Sequence, residues 1–295
     1  MLLSPLMTAR PFAEAHPRVD PAAAGNGPFL CAACSGRPEV VALLLADPRV
    51  DPAASNNIAI RKAAKRGHDK VVALLLRDPR VDPAAANNSA IRRAAANGRR
   101  DVVALLLADP RVAPSAGPPP LMITATRNGH ADVVALLLAD PRVDPAAGDN
   151  GVLREAAENG RHDVVALLLA DPRVDPAAAD NDPLRLAAWK GHDSVVALLL
   201  ADPRVDPAAA DNDPLRLAAA WGHAEVAALL LADPRVDPAV LDRSPLAFFR
   251  SQPLVAAALS ARRAWSPLRA AWVAAAVAGA AAHARADADA ALAGC

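Results

Sequence analysis

The residues able to do chemistry come in short, recurring sets. Cys31 and Cys34 form a CxxC pair. A metal site would need a second such pair or histidines at ligand spacing, and a redox site would need a βαβ setting. The sequence around the pair supplies neither, so both cysteines read as small residues on a helix. His68, His130, His192 and His223 each follow a glycine and recur in register with one another. That periodicity assigns them to satisfying backbone groups at a turn rather than to catalysis. Asp47, Asp78 and Asp109 each precede a proline, a setting that caps and punctuates loops. There is no glycine-rich phosphate loop, nucleophile elbow or paired-carboxylate constellation. With no tyrosine, four Phe and four Trp, an aromatic-lined small-molecule pocket is not expected either. The expectation is a chain with no catalysis of its own, no metal, no cofactor and no small-molecule substrate.

The elements that must position these residues follow from a repeat. PRVDP starts at Pro17, Pro48, Pro79, Pro141, Pro172, Pro203 and Pro234, with PRVAP at Pro110, and the spacing is always 31 residues. VVALLL recurs between them at Val71, Val102, Val133, Val164 and Val195. A constant period in the range of 20–50 residues marks a solenoid. Within one unit, Ile60, Ala63 and Ala64 fall at i, i+3 and i+4, the apolar stripe of a short helix, with Lys62, Lys65 and Arg66 opposite. Gly67 ends it. Val71 to Leu76 is apolar all round; its alanine and leucines, and the lack of two-residue alternation, favour a second, buried helix. Asp78-Pro79 stops that helix. Asp182-Pro183 and Asp213-Pro214 read as an N-cap acid before an N1 proline. The unit is helix, tight turn, helix, rigid loop.

DPLRLAAWKGHDSVVALLL at 182–200 and DPLRLAAAWGHAEVAALLL at 213–231 resemble the ankyrin repeat family. Pro183, Leu184, Ala187, Ala188, Gly191, His192, Val195, Val196 and Leu198 to Leu200 follow the family pattern position by position, and the likeness extends over about Pro17 to Ser260. The resemblance implies an all-α, ankyrin-type helical solenoid of about seven full repeats with degenerate caps. The family period is two residues longer, so its projecting β-hairpin is expected to be shortened here to a proline-locked turn. The family's T-P-L-H histidine is replaced by Arg61, Arg92, Arg154, Arg185 and Arg216, so its hydrogen bonds must be lost or rebuilt.

Residues 1–16 read as a degenerate N-terminal cap, 17–260 as the array, and 261–295 as an Ala-rich helix with a frayed tail. Met1 to His16 lack a charged start followed by a long apolar run, so no secretory signal is read and a reducing, cytoplasmic setting is expected. Asp242 to Ser260 is a degraded eighth unit, with Pro253 where Gly222 stood. Ser266-Pro267 opens a further helix with Trp265, Leu268 and Trp272 on one stripe. Its apolar run, Ala270 to Ala282, falls short of the roughly 20 residues a membrane span needs, and is read as a cap. A membrane-peripheral protein held by this helix is the second functional reading.

Specificity must reside where the copies differ. The two residues before the turn glycine vary most, and the family resemblance places them on a concave binding face. They include Lys65, Arg66, Arg127, Glu158, Trp189, Lys190 and Trp221, the candidate partner-binding set. Tryptophan is enriched in binding hot spots. The family implies a protein–protein interaction scaffold with an unidentified protein partner. The 32 basic and 32 acidic residues balance overall, which argues against a whole-molecule polyanion binder. A local nucleic-acid site on Lys62, Lys65, Arg66, Arg92, Arg93, Arg99 and Arg100 lacks interleaved aromatics for stacking. The balance hides opposite blocks: Ala53 to Ala108 has eleven Lys/Arg and four Asp, while Ala146 to Pro238 has eight Lys/Arg and sixteen Asp/Glu. Weak head-to-tail self-association follows as an expectation. The loop arginines from Arg49 to Arg235 and aspartates from Asp51 to Asp237 are expected to form neighbouring ladders that neutralise each other. A boundary is expected near Val112 to Asn128, where Ala113, Ile123 and Thr126 break the pattern and Pro114 and Pro118 to Pro120 crowd the entry to the first helix.

Overall fold

The computed structural model describes residues 23–115, 120–242 and 246–261. The expected N-terminal cap, 1–16, and the Trp265 to Cys295 segment lie outside them. The described residues form fifteen α-helices and two 3-10 helices, with no strand among them. By its contacts the chain divides into two compact units, Met1–Leu121 and Met122–Cys295, and the division falls within the 112–128 stretch.

The first unit contains α1 (Ala23–Cys34), α2 (Pro38–Leu45), α3 (Ala54–Arg66), α4 (Asp69–Arg77), α5 (Ala85–Ala96) and α6 (Arg100–Leu107). The second contains α8 (Ala131–Ala139), α9 (Ala147–Glu158), α10 (His162–Leu169), α11 (Ala178–Lys190), α12 (Asp193–Ala201), α13 (Ala209–Trp221), α14 (Ala224–Leu231) and α15 (Pro253–Ala261). The second unit also takes all but the first residue of α7 (Leu121–Arg127). Within each unit the first helices pack on one another (α1, α3 and α5; α9, α11 and α13), as do the second helices (α2, α4 and α6; α8, α10, α12, α14 and α15). The buried stripe of α3 is that of the sequence, Ile60, Ala63 and Ala64; α4, expected to be buried all round, buries Val71, Val72 and Leu75 and leaves Ala73, Leu74 and Leu76 half-buried, because only one face meets the neighbouring helices. Leu184, Ala187 and Ala188 on α11, and Val195, Val196 and Leu199 on α12, are their counterparts in the second unit. Removing a leucine from such a layer costs about 2–5 kcal/mol. The degraded unit keeps its second helix as α15, while Leu246–Ser251 is a 3-10 helix.

The connection between pairs is a turn, as expected from the shortened period, but its geometry was not legible. Ser55, Asn56 and Asn57 all take left-handed backbone angles, φ 53, 58 and 57°. Ala86 to Asn88, Gly148 to Asn150, Ala179 to Asn181 and Ala210 to Asn212 repeat this. Non-glycine residues there cost about 1–2 kcal/mol each, and Asn and Asp tolerate the region best. The last asparagine offsets part of that cost. Buried Asn57 accepts from the Asp82 backbone N–H at 2.9 Å, and Asn88 from Ala113 at 3.1 Å. Asn150, Asn181 and Asn212 accept from Asp175, Asp206 and Asp237 in the same way.

The loop arginines correct the sequence reading. Arg80 pairs not with Asp82 but with Asp78: its Nε donates to Oδ1 at 3.0 Å and its Nη2 to Oδ2 at 2.6 Å. The same guanidinium then donates to the carbonyls of Val50 and Leu45 in the preceding repeat, at 3.0 and 3.1 Å. Arg111, Arg173 and Arg204 do likewise, so the series is a set of inter-repeat staples. Asp51, Asp82, Asp144, Asp175, Asp206 and Asp237 instead accept from the backbone N–H two residues on, fixing the turn. The reason is reach: an Asp before the turn lies under the arginine as it bends back toward the previous repeat. Val50, Val81, Val174 and Val205 are buried beside these staples, as expected.

Candidate partner-binding site

The variable residues occupy the last turns of the first helices. Gly191, at φ 76°, ends α11, and its N–H donates to the Ala188 carbonyl. A Cβ at Gly191 would lie 2.5 Å from the His223 imidazole. That ring is there because His223 Nε2 donates to the Trp189 carbonyl at 2.9 Å; a carbonyl only accepts, so Nε2 carries the proton. His192 serves Glu158 and His68 serves Cys34 in the same manner. The structural role read for the turn histidines is seen at His68, His192 and His223, each of which caps the preceding repeat's first helix. Arg161 does the same for Arg127, and Arg99 for Lys65, at 2.8 and 3.4 Å.

Holding its helix end in place positions Trp189, and Trp221 packs against that ring. Their rings meet edge to face, with centroids 6.1 Å apart and planes at 68°. Trp221 is 61% exposed, so it does not lie flat over its neighbour's helix. Lys190 Nζ stands 3.9 Å above the Trp189 ring, within cation–π range, and 3.8 Å from Glu158. The second unit thus brings Glu158, Trp189, Lys190 and Trp221 together. Arg127, exposed, is held by Glu155 at 2.7 and 3.1 Å, and that pairing raises the guanidinium pKa further. In the first unit Lys65 is exposed, while Arg66 donates to the Cys34 carbonyl at 2.6 Å.

A second constellation lies beside the site, and the sequence reading missed it. Asp182 is no N-cap. Its carboxylate accepts from Arg185 at 2.6 Å and from Arg154 at 2.6 Å. Arg185 continues to Asp213 at 3.3 Å, and Arg216 reaches Asp213 at 3.3 Å. Of the arginines standing in place of the T-P-L-H histidine, Arg154, Arg185 and Arg216 therefore form a charged zipper between first helices. The signal was available: Asp182 and Asp213 occupy one register position, three residues before an arginine. In the first unit that position holds Ile58 and Ser89, and Arg61 Nε is buried without a partner.

No group of three or more His, Cys, Asp or Glu among the described residues could hold a metal ion. Cys31 and Cys34 are free thiols. No described helix is long and apolar enough to cross a membrane.

The family model for ankyrin repeats, three copies, matches residues 29–114, 91–180 and 153–242. The chain belongs to the ankyrin-repeat family. Comparison with curated proteins found no match. Ankyrin repeats are generally protein–protein interaction modules, and ankyrin-repeat proteins are typically scaffolds without enzymatic activity.

Proposed function

We propose that the chain binds a protein partner through the face formed by its first helices, centred on Trp189, Lys190 and Trp221 with Glu158 beside them. The observation that carries this is Trp221, a large apolar ring left 61% exposed while packed edge to face on Trp189. An aromatic residue already ordered by its neighbour loses little freedom on binding. Arg127 occupies an equivalent helix end in the same unit and serves as an outlying contact; Lys65 and Arg66 form a separate set on the matching helix end of the first unit. Free thiols at Cys31 and Cys34 fit a reducing cytoplasmic setting. The test is affinity capture with the wild type beside a Trp189→Ala, Trp221→Ala double variant. Hot-spot tryptophans cost about 2 kcal/mol or more when truncated, roughly thirtyfold in Kd. A partner retained equally by both proteins would falsify the assignment.

A further inference from the structure

We infer that the segment docking on Trp221 is an extended, arginine-bearing basic stretch of another protein. This rests on the binding centre proposed above and adds the chemistry of its partner. At Trp189 the protein supplies its own cation, Lys190 Nζ at 3.9 Å from the ring centroid. One repeat on, the corresponding pair is Ala220 and Trp221, so the same indole chemistry recurs without a cation in that pair. The surroundings favour a cation from outside. Residues 122–242 hold twenty Asp/Glu against ten Lys/Arg. The basic groups there are committed: Arg154 and Arg185 to Asp182, Arg173 to Asp171, Arg204 to Asp202, Arg235 to Asp233, and Arg127 to Glu155. Exposed Asp193 and Glu225 stand in the first turns of α12 and α14, directly after the turns that follow Trp189 and Trp221. The C-terminal, negative ends of α9, α11 and α13 terminate at Glu158, Lys190 and Trp221. Acidic side chains and helix C-termini therefore recur at the turns that carry Trp189 and Trp221.

Arginine fits better than lysine. A planar guanidinium stacks on an indole and hydrogen-bonds a carboxylate at the same time, whereas an ammonium is a hydrated point charge. The basic first unit of a second copy fits worse than a separate segment. Several of its arginines sit on packed helices and are engaged: Arg66 on the Cys34 carbonyl, Arg99 on the Lys65 carbonyl, Arg93 on Ser89.

The experiment titrates the full chain with fluorescein-labelled Gly-Arg, Gly-Lys and Gly-Glu repeat peptides at 0.15 M salt, read by anisotropy. The Gly-Arg peptide is expected to bind most tightly, with Trp221→Ala weakening it about tenfold or more and Trp221→Phe retaining most of the affinity. Thermal melts of each variant verify that it is folded. Equal Gly-Arg affinity in wild type and Trp221→Ala overturns the inference. So does tighter binding of Gly-Glu; if that binding is itself lost in Trp221→Ala, the site survives and only the basic partner falls. Sedimentation of the chain alone separates the remaining occupant: monomers support a separate partner, and oligomers that vanish in Trp221→Ala would identify it as a second copy.

Discussion

The same arginine column meets opposite fates in the two units. In the second, Arg154, Arg185 and Arg216 are linked through Asp182 and Asp213. In the first, Arg61 donates through Nη1 to the Asn56 carbonyl and leaves Nε buried without a partner. The helices, turns and buried stripes around both are alike, so the difference comes from one register position: Ile58 and Ser89 against Asp182 and Asp213. An ankyrin stack tolerates the substitution because each repeat's stability rests mainly on its apolar layer and nearest neighbours. What changes is the charge along the first helices, cationic in one unit and neutralised in the other.

The largest expected effect breaks the comparison at the turn glycines. Gly67 and Gly191 both have left-handed angles, φ 81 and 76°. An added Cβ at Gly67 meets the flexible Arg99 side chain at 2.8 Å, whereas at Gly191 it meets the His223 ring at 2.5 Å. Gly67→Ala should therefore cost about 1–2 kcal/mol from backbone strain alone. Gly191→Ala should cost about 1 kcal/mol more, because His223 must release the Trp189 carbonyl. Urea unfolding checks both, and equal losses would mean that the histidine gives way as freely as the arginine.

The zipper comes next. Asp182→Ala leaves Arg154 and Arg185 without their shared carboxylate and is expected to cost about 2 kcal/mol, kept below a fully buried pair by the half-exposed guanidiniums. Ser89→Asp puts a carboxylate where Arg61 and Arg92 stand as Arg154 and Arg185 do around Asp182. A gain of up to about 1 kcal/mol is expected. If Ser89→Asp destabilises the chain, the two units differ by more than this position.

A smaller effect per site, but shared by both units, concerns acid. In Asp78, Asp109, Asp140 and Asp171 the hydrogen bonds from the following arginine hold the carboxyl below the usual carboxylate range. At Asp202 burial pushes upward most strongly, yet the Arg204 bonds together outweigh it. A depressed folded pKa stabilises above the unfolded value of about 3.9, and the contribution is lost as pH falls through the folded value. Stability should fall in both units below about pH 4. Asp171→Asn should flatten that fall; an unchanged slope would remove the staple from the account.

The least perturbing test sharpens the boundary. Thr126 is fully buried with its hydroxyl unpartnered, where Ala95 and Ala188 stand in the same series. A buried unsatisfied hydroxyl costs about 1–3 kcal/mol. Amides of 121–126 should exchange hydrogen faster than those of 90–95 and 183–188, and Thr126→Ala should narrow the gap. Equal protection in all three segments would remove the boundary.

The sequence by itself determined the period, the helix pairs, the buried Val, Leu and Ala stripes and the glycine-ended turns. Each of these reports on burial or backbone chemistry within one 31-residue unit, where spacing alone carries the information. It also pointed to Trp189 and Trp221, since positions that vary against a constant frame are visible in any repeat. Only the tertiary structure decided which partner each charge takes. Arg80 has Asp78 and Asp82 at equal distance along the chain, and Asp182 could cap its helix or bridge two arginines. Chemically equivalent neighbours in sequence are separated only by where the next repeat places its backbone. The left-handed Ser55–Asn57 turn belongs with them: its strain is held by a hydrogen bond to Asp82, twenty-five residues away, which no local pattern could reveal.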